Sequence, residues 1–86
     1  SVIANLEYEV VVSVPKASIL FVEQVSGLLV KREEFGDSLQ LTLQVSHFDW
    51  IRRALSSITG KVEIISPEEV RESFHDFTEQ ALSNYR

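Results

Sequence analysis

The side chains able to do chemistry are few and far apart. His47 and His75 fall on different predicted helices, with no carboxylate or thiol set gathered around either. A closed metal site needs three or four converging ligands, so no metal ligand is assigned. Glu33-Glu34 and Glu68-Glu69 are adjacent carboxylates. Neighbours on a strand point to opposite faces, and neighbours on a helix diverge by about 100°. Neither pair makes an acid/base dyad. The serines have no base at a motif spacing, and three glycines make no phosphate-cradling loop. No catalytic residue and no cofactor follows from this sequence. Its only basic doublets are Lys31-Arg32 and Arg52-Arg53, and the formal net charge is -5. That balance repels a phosphate backbone, and solvated surface is the ordinary place for such cations.

With so little chemistry, the elements themselves carry the information. The chain has 86 residues, enough for one domain with a modest core. At 44% hydrophobic and 24% charged residues it reads as folded rather than disordered. It has no cysteine, which rules out disulfides and thiolate metal sites and fits a cytoplasmic home. No apolar run is long enough for a membrane-spanning helix. The opening Ser-Val-Ile-Ala-Asn has neither an initiator Met nor a basic signal-peptide start, so the expectation is a fragment of a longer multidomain protein.

Residues 7–14 alternate and are β-branched, which predicts a strand closed by Pro15. Residues 16–26 predict a helix, mostly buried, with Ser18, Glu23 and Gln24 outward and Ser26-Gly27 as its stop. Residues 28–35 predict a second strand. Residues 38–45 alternate Leu39, Leu41, Leu43 and Val45 with Gln40, Thr42 and Gln44, a half-buried strand. The short Gly36-Asp37 link makes these two a hairpin.

Residues 46–69 then hold two helix starts of one design. Ser46 with Asp49, and Ser66 with Glu69, have capping-box spacing, and Pro67 suits a first helical position. Ile51, Ala54, Leu55 and Ile58 make one apolar stripe, and Gly60 is placed where that helix should stop. Residues 61–65 predict a short strand. A last helix runs from Pro67, with Val70, Phe74, Phe77, Ala81 and Tyr85 as its stripe.

The predicted fold class is α+β: a ferredoxin-like βαββαβ sandwich with an additional C-terminal helix. One domain spans residues 1–86, with the core at about 8–66 and the helix at about 67–86. Tyr8, Val10, Val12, Val14, Leu39, Leu41, Leu43, Val45, Val62 and Ile64 would face the helices. Glu9, Val11, Ser13, Gln40, Thr42, Gln44, Glu63 and Ile65 would form the open face. That face lacks the aromatics on which RNA-recognition modules stack bases. Contact surfaces are expected at Val11 and Ile65 on the open face and at Phe77 and Tyr85 on the terminal stripe. Trp50 either seals its helix onto the sheet or anchors a contact.

Taken together, the Gly hairpin, the alternating strand, Asp49-Trp50-Ile51, Gly60, Val62-Glu63-Ile64-Ile65, Pro67, Glu68-Glu69-Val70-Arg71 and Ala81-Leu82-Ser83-Asn84-Tyr85 resemble the C-terminal extension module (WCX) of bacterial WYL-domain transcriptional regulators. The likeness covers about residues 8–86. It implies a non-catalytic regulatory and dimerisation module, supporting effector sensing by a WYL domain of the same chain. DNA would be bound only through a helix-turn-helix domain outside this sequence. The effector implied is a nucleic acid or nucleotide. For an anionic effector, Arg52 and Arg53 are the first candidates and Lys31 and Arg32 the second. The alternative is a ferredoxin-like domain sensing a metabolite or nucleotide. An acylphosphatase-like enzyme would need an Arg in the loop after the first strand, and Ser13-Val14-Pro15-Lys16 has none.

Overall fold

The computed structural model describes residues 7–83, with side chains described for residues 7–75. The elements are β1 (Tyr8–Pro15), α1 (Ile19–Gln24), a 3-10 turn at Ser26–Leu28, β2 (Leu29–Phe35), β3 (Ser38–Val45), α2 (Asp49–Ser56), β4 (Glu63–Ser66) and α3 (Glu68–Ser83). The fold is α+β. Its one four-stranded sheet has the order β2-β3-β1-β4, and every neighbouring pair is antiparallel.

Period-two patterning sets the register. Val10, Val12 and Val14 pair with Leu43, Leu41 and Leu39, and all six side chains are buried. A one-residue slip would turn this whole row to the other face. Phe21 and Val25, at i and i+4, bring α1 onto it, and Ile51 and Leu55 bring α2. Val70 and Phe74 pack α3 against the same core. In the β2-β3 hairpin Phe35 pairs with Ser38, leaving Gly36-Asp37 as the loop. Gly36 has φ 58, and among the described residues no non-glycine residue has positive φ. That is the pattern of a type II′ turn, with glycine at its first central position.

Several local expectations are corrected. The start of α2 has Phe48 as its N-cap, with no side-chain cap. Phe48 is buried, and its carbonyl accepts the first helical bond from Arg52 N at 2.8 Å, so core packing rather than Ser46 places this start. Ser66 is held in the ladder opposite Val11, and the Pro67 carbonyl accepts from Arg71 N at 3.1 Å. Pro67 therefore precedes α3 instead of opening it. Helix α2 ends at Ser56, where the Ser56 and Ser57 hydroxyls donate to the Arg53 and Ala54 carbonyls at 2.8 Å each. Those serines do the work expected of Gly60. Gly60 itself has φ 115, and a Cβ there would lie 2.9 Å from Pro15 Cγ.

Helix α1 is shorter than residues 16–26. It buries a single stripe, so Ile19 and Leu20 stand 64% and 77% exposed instead of buried. Tyr8 is exposed at the entry of β1, and Val62 is half-buried in the link before β4. Both were expected on the helix-facing side of strands: Tyr8 does share that side, opposite Val45, and Val62 packs on the core from outside the strand.

Candidate functional site

The face of the sheet away from the core carries Val11, Ser13, Gln40, Thr42 and Gln44, all half-buried. Val11 sits between Val10 and Val12, which are fully buried beneath the helices, so it must point the other way. It pairs with Thr42 on one side and Ser66 on the other. The β1-β4 register shifts beside it, and Ile65 stands 47% exposed in β4. Lys31, Glu33 and Phe35 pair with Thr42, Gln40 and Ser38 and so share this face. Val11 and Ile65 are thus brought to one surface. Trp50 is not: it is exposed on α2, on the opposite side of the sheet. Phe77 lies in α3 beyond the described side chains, and Tyr85 lies outside the described residues.

The four cations do not converge. Arg52 is built into the helix layer. Its Nη2 donates to Ser73 Oγ at 3.2 Å, it pairs with Asp49 at 3.6 Å, and its guanidinium lies 5.9 Å from the centroid of the Phe48 ring. It braces α2 against α3, the helix packed on β4. Arg53 is exposed one step round α2. Lys31 and Arg32 lie at the far edge of the sheet, on opposite faces of β2. Lys31 meets Glu33 at 3.6 Å, Arg32 meets Glu34 at 4.0 Å, and Lys16 meets Glu34 at 3.2 Å. All three pairs are solvated and contribute about 0–1 kcal/mol each. A bidentate grip on one phosphate requires convergence, and this arrangement does not supply it.

Among the described residues no three His, Asp or Glu side chains gather as a metal site. His47 and His75 are both exposed. Among the described residues no helix is long and apolar enough to cross a membrane.

The WCX domain family matches residues 6–82, nearly the whole chain. The chain belongs to this family. WCX is a regulatory-associated domain, not a known catalytic family. No curated protein and no solved structure matches the chain.

Two features of this WCX domain escape sequence reasoning. Ser73, the partner of Arg52, lies 21 residues away on another helix, and no local signal links them. Phe35, 56% exposed at the rim of the open face, was legible in principle. The run Lys31-Arg32-Glu33-Glu34 marks β2 as an edge strand, whose flanking apolar residues are exposed.

Proposed function

We propose that this WCX domain is a non-catalytic assembly module of a cytoplasmic WYL-type regulator. It pairs with a second copy through the open sheet face and supports effector sensing by a WYL domain of the same chain. DNA is bound by a separate helix-turn-helix domain. The observation that carries the assembly role is the character of that face. Its centre is uncharged, from Val11, Ser13, Gln40, Thr42 and Gln44, with Ile65 exposed beside it. Such a centre buries no charge, its hydroxyls and amides can be satisfied by hydrogen bonds across the contact, and Val11 and Ile65 add apolar area. The strand order supports reading the scaffold as ferredoxin-like, since β3 lies between β1 and β2 and β1 lies between β3 and β4, so each βαβ unit is split by a strand of the other. Dispersal of Arg53, Lys31 and Arg32, with Arg52 engaged in the helix layer, favours an effector held by the neighbouring WYL domain over one held here.

The test is solution mass by light scattering across a concentration series, for the wild type and for Val11→Lys and Ile65→Lys. The expected result is a concentration-dependent dimer that both lysines abolish with the circular dichroism spectrum unchanged. Wild-type and lysine variants of equal mass at every concentration would refute assembly through this face. Trp50→Ala is expected to leave the dimer intact, because Trp50 lies on the other side.

A further inference from the structure

The groove between β4 and α3 has an unusual wall. Residues 62–65 line it one after another, and Arg71, Phe74 and His75 of α3 stand opposite. Successive side chains of a strand point to opposite faces. Glu63, Ile64 and Ile65, three successive strand residues along one wall beside Val62 of the preceding link, therefore present the strand's backbone edge, not one of its faces. β4 is the last strand of the sheet, and among the described residues its only ladder is with β1. Its outer N–H and C=O groups face the groove as a template for another strand.

The two edges of the sheet are treated differently. β2 carries Lys31, Arg32, Glu33 and Glu34 in succession, the kind of charged edge that blocks strand addition. Two antiparallel copies of β2 meeting about a two-fold axis would also set Arg32 or Glu33 opposite itself. β4 has one charge, Glu63, and an exposed Ile65. The floor beside it has an apolar strip from half-buried Ile58 and Phe74 over buried Leu55 and Ile64, and its rim is polar, from Ser56, Arg71, Glu72 and His75. The groove holds about 1110 Å³. Small-molecule pockets run to roughly 300–1,000 Å³, so this one lies just above that range, and the four residues of β4 span about 13 Å of extended chain.

We propose that the groove takes an extended peptide segment of a partner protein, which adds to β4 as a fifth strand. The chemistry of the walls sets its sequence. Side chains on the core side meet the apolar floor, so alternate positions are aliphatic. Those on the other face meet Ile65 and Glu63, so a basic residue fits between them, opposite Glu63. Arg71 and Glu72 offset one another on α3, and the net charge of -5 favours a cationic segment. This edge shares Ile65 with the proposed contact on the open face but includes none of Val11, Ser13, Gln40, Thr42 and Gln44, and the proposal does not depend on dimerisation.

The probe is acetyl-Val-Lys-Val-Lys-Val-amide, titrated into the isotopically labelled 86-residue chain and followed by amide NMR. Shift changes should concentrate at residues 62–66 and around Phe74, with slowed amide exchange in β4. N-methylation of a peptide amide that bonds to the strand should weaken binding about three- to tenfold, the loss of one backbone hydrogen bond. A Val→Asp peptide should not bind. Glu63→Lys should weaken the complex while its circular dichroism stays that of the wild type. Absence of binding would overturn the proposal. So would shifts centred elsewhere, or equal affinity of the methylated peptides at every position, which would mark a contact without strand pairing. A dimer whose own β4 edges fill the groove and exclude the peptide would also overturn it.

Discussion

Replacing Gly60 by Ala tests whether the α2–β4 link is fixed by contact with β1. Two costs are visible. With φ at 115, residue 60 occupies backbone space that L side chains rarely adopt, a strain of about 1–3 kcal/mol. The new Cβ would also lie 2.9 Å from Pro15 Cγ. That atom belongs to a ring locked to the backbone of β1, at the point where Pro15 pairs with Ser38. It cannot rotate away as a chain end could. Against these stands the smaller entropy of the unfolded chain with Ala, worth about 0.4–1 kcal/mol in the other direction. The net expectation is a loss of about 2 kcal/mol, equivalent to roughly 8–16 °C in Tm for a domain of this size. Urea unfolding followed by Trp50 fluorescence measures it, with an unchanged slope confirming that the unfolding unit is the same. Gly27→Ala is the control, because nothing lies within 4 Å of its Cβ position and its φ is not positive. That variant should be neutral or slightly stabilised. If Gly60→Ala matched Gly27→Ala within about 0.5 kcal/mol, the argument from the Pro15 contact would be wrong.

Leu41→Ala removes a fully buried side chain from the centre of β3 and should cost about 2–5 kcal/mol, read by the same urea transition. Arg52→Met breaks the bond to Ser73 and should cost about 1 kcal/mol, whereas exposed Arg53→Met should stay within about 0.5 kcal/mol. A double-mutant cycle with Ser73→Ala should show coupling for Arg52 and none for Arg53.

Strand faces were the most legible part of this chain. The alternation from Leu39 to Val45 dictates which side is buried, and β1 repeats it, so the core row followed from spacing alone. Helix boundaries were less legible for a specific reason. Ser46-x-x-Asp49 and Ser66-x-x-Glu69 both have cap spacing, yet a buried Phe48 and the pairing of Ser66 with Val11 take precedence over local capping. A cap is worth about 1 kcal/mol, less than burial of a phenylalanine. The helix at residues 19–24 misled for the opposite reason: its dense apolar run promises burial all round, but six residues can present only one stripe to a sheet. Basic doublets were legible as residues and not as a site. Whether Arg52 reaches outward or across to Ser73 is decided by how α3 returns over α2, a tertiary relation that no local pattern encodes.

The end of the sheet at Pro15 gathers three chain reversals. Lys16 N donates to the Asp37 carbonyl at 2.8 Å, tying the exit of β1 to the hairpin turn. Gly60, in the α2–β4 link, sits so close to Pro15 that a Cβ there would lie 2.9 Å from the ring. The links after α1, β3 and β4 all lie at the other end. This polarity gives the domain one pole where loop length is fixed and one where it is free. Natural insertions, affinity tags and spectroscopic labels should therefore be accommodated near Ser46-His47, an exposed stretch of the free pole. Even one extra residue at Gly36 or Gly60 would have to part contacts that hold three segments in place.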